Sequence, residues 1–276
     1  MAASPVLLIA AHEFRITVRN RWTAIVAVLF SLLLVGIAWA GVMAEGYSGV
    51  QNFTRTSASL LNLVLYIVPL MALVMGTLSF AGDRGTAELL FAQPVTRSEV
   101  MLGKLLGLFC SISLSMTIGF VLAGVVIGFG AGTGGLGGFT AFAGLSLLLA
   151  LAFLSIAALV ALLSGRRLRA FGVSMAVWFF FVLFYDLLAI TAAALLRGQA
   201  GTTTLFLSLF GNPVDLVRVA SLILLDNAEI FGAAGAALLR FLGGSAWSVV
   251  TLIAALVLWT ALPLAAAQRR LRRHDI

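Results

Sequence analysis

The sequence predicts an all-α polytopic membrane bundle of six spans. Three observations carry that prediction. Of 276 residues, 62% are apolar and 10% are charged, whereas soluble domains carry about 45–50% apolar and about 25% charged residues. Six long apolar runs recur at 24–44, 60–81, 105–130, 139–163, 171–196 and 246–266, each near the roughly 20 residues that a helix needs to cross a bilayer. The runs are continuous rather than alternating, so helices and not strands satisfy the backbone in lipid. An ordinary soluble enzyme, a disordered tail and a disulfide-stapled domain are excluded, and Cys110 stands alone.

The first element is an amphipathic elbow at 5–21. Ser4 is placed as N-cap and Pro5 at the first helical position. Leu7, Ala11, Phe14 and Val18 recur at helical spacing, with His12, Arg15 and Arg19 on another face. That pattern suits a helix lying among headgroups, serving either as an anchor or as a coupler to the first span. The apolar run Val6–Ala11 is short and precedes His12, Glu13, Arg15 and Arg19 rather than a cleavage site, so no removable leader is expected.

Charge sets the expected orientation. Thirteen of the 17 Lys and Arg fall on one side: Arg15, Arg19, Arg21, Arg84, Arg97, Lys104, Arg166, Arg167, Arg169, Arg269, Arg270, Arg272 and Arg273. Arg55, Arg197, Arg218 and Arg240 fall opposite. The positive-inside rule then puts both termini in the cytoplasm. The formal charge of +7 is therefore read as a topological signal at the membrane lipid surface, with no nucleic acid expected.

Between spans two and three, 82–104 is too polar to cross and too long for a tight turn. Thr86–Phe91 forms a short helix on paper, Pro94 stops it, and Thr96 with Glu99 makes a T-x-x-E capping box for the next helix. The loop reads as a docking knob joined rigidly to two spans. Asp83, Arg84, Gly85, Thr86, Glu88, Leu89, Leu90, Pro94, Val95, Thr96, Arg97, Gly103, Lys104 and Gly107 resemble the hallmark of type-2 ABC exporter (ABC-2) permeases. The elbow with Glu13 and Arg19 and the count of six spans fit the same family along essentially the whole chain.

The resemblance implies a bacterial inner-membrane permease subunit that pairs with a second copy of itself. It also implies a separate ABC ATPase, which would carry ATP and Mg2+ as cofactors. Arg84, Gly85, Thr86, Glu88, Leu89, Leu90, Phe91 and Pro94 would form the coupling helix in a cleft of that ATPase. A narrower pattern, Gly211-Asn212-Pro213-Val214-Asp215-Leu216-Val217-Arg218, resembles the permeases of copper-processing ABC complexes that mature nitrous oxide reductase. It implies a periplasmic accessory protein of β-helix type, contacted through Asn212, Asp215 and Arg218.

The outer segment 197–245 is expected to be periplasmic or re-entrant. Asn212 is an N-cap, Pro213 follows at the first helical position and Asp215 at the third, opening a helix to about Asn227. Asp215 and Arg218 are one turn apart and can pair. The stretch Val219–Leu225 is too short to cross. The segment is read either as a lid on the outer end or as a docking site.

Asp186 is the one acid deep in a predicted span. A charge there costs about 2.5–3.5 kcal/mol on insertion scales, so it must face protein or water, with Tyr185 and Thr191 as candidate neighbours. It is either an interhelical contact or part of a gate. Met71 and Met75 share a face of span two, and Met116 and Met175 are scattered; methionine in apolar helices mostly packs, and no metal site is assigned to this chain. Gly132–Gly137 matches G-x-G-x-x-G without a βαβ context. Gly103-x-x-x-Gly107 and Gly124-x-x-x-Gly128 allow close helix approach. There is no Walker A motif, and no His lies near a span-buried Ser, so no catalytic residue is expected in this chain. The alternative reading is a stand-alone small-molecule carrier or integral membrane enzyme, which leaves the 82–104 loop without a role.

Overall fold

In a computed structural model, residues 4–44, 50–81, 96–132, 134–196, 198–225 and 232–273 are described. Among them there are helices and no strands. The elbow α1 is Pro5–Arg19. Span one is α2, Arg21–Ala44; span two is α3, Val50–Phe80; span three is α4, Arg97–Ala131; span four is α5, Leu136–Ser164. Span five is α6, Arg167–Phe179, a π turn at Phe180–Phe184, and α7, Tyr185–Leu196. Next come α8, Gly198–Ser208, a 3-10 turn at Leu209–Gly211, and α9, Pro213–Leu224. Helix α10 is Gly232–Leu242, and span six is α11, Ser245–Arg273.

Among the described residues, six helices are long and apolar enough to cross a bilayer, in the order expected, and a bent pair at 198–224 would make a seventh if it is one span. Several run past the apolar stretches. Span three starts about two turns before Leu105, because Thr96 and Glu99 form both halves of the capping box: the Glu99 N–H donates to Thr96 Oγ1 at 3.3 Å, and the Thr96 N–H donates to Glu99 Oε2 at 2.8 Å. The elbow ends at Asn20, whose Oδ1 accepts from the Trp22 N–H at 3.0 Å. Ser4 occupies the N-cap position of the elbow, but its hydroxyl makes no capping bond.

Span four is the spine. Phe142, Leu149, Phe153 and Leu154 are fully enclosed, because spans two, three and six and α9 all pack on it. Edge-to-face rings join spans three and four, with Phe120 5.8 Å from Phe139 and 5.4 Å from Phe142. Such contacts add about 0.5–1.5 kcal/mol each beyond area burial. Span five lies at the periphery, and its outer half exposes Leu187, Leu188 and Ile190. Gly132 and the turn at Gly134 and Gly135 close spans three and four into a hairpin, so the G-x-G-x-x-G pattern is a membrane turn.

The outer segment is more structured than expected. Helix α8 and the following turn meet α9 at a bend of 104°, the shape of a broken span or a re-entrant hairpin. Helix α9 starts as expected, with Pro213 at N1 and Asn212 Oδ1 accepting from the Val214 N–H at 3.0 Å. It ends at Leu224 with Leu225 as C-cap, and Asp226 and Asn227, the end of the expected helix, lie outside the described residues.

Candidate functional site: an inner junction and an outer polar cluster

Two constellations lie on opposite ends of the bundle. The inner junction gathers the elbow, the end of span two and the start of span three. Gly103 and Gly107 lie against the elbow. A side chain at Gly103 would meet Ile9 and the Val6 carbonyl, and one at Gly107 would meet the Ala10 carbonyl and Glu13. The Gly103-x-x-x-Gly107 stripe is therefore an intrachain seat for the elbow.

Val6, Ile9, Ala10, Glu13 and the Phe14 backbone line the seat, and Thr17, farther along the elbow, is buried. The sequence pattern does not assign this protein-facing stripe; it places the apolar face of the elbow in the membrane interface. Leu7 and Val18 are exposed and suit lipid contact, because an elbow in a membrane has apolar neighbours on two sides. Ser79, near the end of span two, donates from Oγ to Glu13 Oε1 at 2.6 Å, and Lys104 Nζ donates to the Ser79 carbonyl at 3.1 Å. Glu13 and Lys104 thus meet on one serine, and both roots of the 82–104 loop are tied to the elbow. Arg15 and Arg19 are exposed on the elbow. Arg84, Gly85, Thr86, Glu88, Leu89, Leu90, Phe91 and Pro94 lie outside the described residues.

The outer cluster joins span five to α9. Arg218 Nη1 donates to Asp186 Oδ2 at 2.9 Å and also bonds Asp215 Oδ1 on its own helix. Asn212 Nδ2 donates to Asp215 Oδ2 at 2.8 Å and to the Phe181 carbonyl at 3.0 Å. Phe181 lies in the π turn, where the Tyr185 N–H reaches back five residues to the Phe180 carbonyl. Such turns rearrange the carbonyl ladder at functional positions. Trp259 Nε1 donates to the Phe210 carbonyl at 3.0 Å, holding the 3-10 turn against span six.

The Asp215–Arg218 pair forms as expected. The partner of Asp186 does not: Arg218 takes the place expected for Tyr185 and Thr191. The Thr191 hydroxyl donates to the Leu187 carbonyl of its own helix, and the Tyr185 hydroxyl donates to the Ser208 carbonyl. Asn212 and Asp215 are buried, and Arg218 is turned inward toward two carboxylates. Their polar atoms are engaged within the chain. A local pairing rule reaches one turn and could not bring Asp186 to a residue 32 positions away.

Between the two constellations, span five is tied to span two. The Thr77 and Ser174 hydroxyls share a buried hydrogen bond at 2.5 Å, and Trp178 Nε1 donates to the Tyr66 carbonyl at 3.0 Å. Met71 and Met116 are buried in the apolar core. Among the described residues, no group of three His, Cys, Asp or Glu side chains could hold a metal ion.

The chain matches the ABC-2 family transporter protein model over residues 7–276. It belongs to the ABC-2 transporter family. It is 34% identical to a probable ABC transporter permease protein NosY of Pseudomonas aeruginosa, over 97% of this chain and 98% of that protein. A protein of the same description from Stutzerimonas stutzeri is 34% identical over 78% of this chain and 80% of its own length. The chain is thus an ABC transporter permease subunit similar to NosY.

Proposed function

We propose that this subunit converts ATP binding and hydrolysis in a separate ATPase into movement of its spans, with the 82–104 loop as the point of entry. The inner junction carries this reading. Span two, span three and the elbow meet on Ser79, Glu13, Lys104 and the two glycines, so a push on the loop reaches three elements together. Span five then follows span two through Thr77–Ser174 and Trp178–Tyr66. A partner that binds two conformations with different affinity shifts their populations.

In this reading the subunit pairs with a second copy in the bacterial inner membrane, with both termini cytoplasmic, and ATP and Mg2+ are bound by the ATPase. Likeness to the NosY proteins supports a place in copper-site maturation of nitrous oxide reductase, with a periplasmic accessory protein as outer partner. The test is co-purification. Deleting Gly85–Phe91, or replacing Glu88→Arg, should abolish association with the co-expressed ATPase while membrane insertion persists. Undiminished association would overturn the mechanism.

A further inference from the structure

Residues Tyr185–Ser208, helices α7 and α8, stand apart from the rest of the bundle. Helix α7 packs on α8 and on the π turn and touches other elements sparsely. Its buried residue, Ala193, faces α8, where Gly201 lies against the Ala193 carbonyl. Leu187, Ile190 and Leu195 are exposed, Leu195 by 79%. The two helices meet at Gly198, whose φ of 58° suits a residue without a side chain. Tyr185 Oη donates to the Ser208 carbonyl at 2.6 Å, so the two ends of the unit are fastened to each other.

Each end borders an irregular turn: the π turn Phe180–Phe184 on one side and the 3-10 turn Leu209–Gly211 on the other. By contrast α9, immediately beyond, is buried along Val214, Leu216, Val217 and Ala220 and packs on spans four and six. The unit meets that fixed helix through the Asp186–Arg218 bond. Its other ring contacts are the tilted pair Phe206–Phe241, 5.3 Å apart, with α10, and those of Tyr185 with Phe180 and Phe181 of the π turn.

We propose that Tyr185–Ser208 is a flap on the membrane face opposite the termini, hinged at the two irregular turns and bolted to the core by Arg218 on Asp186. The bolt is built to be drawn. Arg218 keeps Asp215 on its own helix when it releases Asp186, so no guanidinium is orphaned in the core. Asp186 has 36% of its side chain exposed and gains water on release. Opening would free Asp186 and uncover the Arg218 face of α9, a device for gating that end of the permease. The flap can be tested without any ATPase, so its failure and that of the coupling reading are separate results.

Spin labels placed by Leu195→Cys and Thr140→Cys, in a Cys110→Ser background and in lipid nanodiscs, report the flap-to-core distance. A second pair, Thr140→Cys with Val250→Cys, reports the core alone. Asp186→Asn and Arg218→Gln should each raise the open-to-closed ratio about tenfold, the change expected for losing one charge-assisted hydrogen bond. Arg218→Lys and Asp215→Asn should leave the closed distance dominant, and the core pair should not move. An unchanged flap distance in both bolt variants would overturn the proposal. So would equal broadening of the core pair, or full opening by Asp215→Asn, because either makes the cluster general glue rather than a bolt.

Discussion

The inner junction and the outer cluster both tie three segments together, but with opposite chemistry. At the inner junction, backbones approach through glycines and the ties are single hydrogen bonds on Ser79. At the outer cluster, one guanidinium and one amide each divide their bonds between α9 and span five. Glycine-seated helices have no second arrangement at low cost, because sliding one past the other drives backbone into backbone. A donor with one partner on each body does have one, since it keeps a partner after it parts. The comparison teaches that the inner end suits rigid transmission and the outer end suits release.

The largest effect expected on this contrast is Arg218→Ala. Removing one member of a buried ion pair costs about 3–5 kcal/mol, and the partial exposure of Asp186 lowers that to about 2–3. Asp186 and Asp215 would face each other without a cation. Denaturant or thermal unfolding of the purified chain in detergent should show the loss. Double replacement with Asp186→Asn should recover part of it. No recovery would mean that Asp186 contributes nothing to the site, and the outer end would no longer differ in kind from the inner one.

Next comes Gly107→Ala. The new Cβ would lie 2.5 Å from the Ala10 carbonyl and 2.7 Å from Glu13 Cβ. Backbone cannot swing aside as a side-chain tip can, so the elbow must lift. Overpacking of this kind costs about 1–3 kcal/mol. Coupling should fall more than stability, read as loss of ATPase stimulation in the assembled complex with little change in insertion. Gly128→Ala on the same helix meets nothing within 4 Å and serves as control. Equal loss at both positions would remove the special role of the elbow seat.

How much of this was legible in the sequence follows the range of each interaction. The six spans were legible because twenty apolar residues in a row leave few alternatives. The T-x-x-E box and the Asn212-Pro213 start were legible because a cap is written within three or four residues. The Asp215–Arg218 pair was legible for the same reason. Asp186–Arg218 was not, since their contact depends on α9 folding back under span five. The π turn left no composition signal within Phe180–Phe184, and α8, with Gly198, Gly201 and three threonines, lacks the periodicity that marks a helix. The lipid-directed face of the elbow was legible, whereas its seat on Gly103 and Gly107 depends on a contact about a hundred residues away in sequence.

Asn212→Ala tests the other tie between α9 and span five, the bond from Asn212 to the Phe181 carbonyl. It removes a cap worth about 1 kcal/mol and also the bonds to Asp215 and the Phe181 carbonyl. The expected total is about 1.5–2 kcal/mol. Asn212→Ser can restore the cap alone, so the difference between Ser and Ala isolates the helix start. The remaining loss measures the tie to the π turn. If Ser restored everything, the Phe181 contact would carry no weight and the tie between α9 and span five would rest on Arg218.

The smallest effect belongs to the inner end, at Thr96→Ala. Both capping-box bonds there are exposed, and an exposed cap is worth about 0.5–1 kcal/mol. Global unfolding would scarcely register it. Hydrogen exchange at the first turn of span three should, because the Glu99 N–H loses its acceptor and the turn frays. If the loop transmits force through this turn, fraying there should lower coupled ATP turnover even though stability holds. A variant with faster exchange at 97–100 and undiminished coupling would show that force passes instead through Lys104 and Ser79, one turn deeper in the junction.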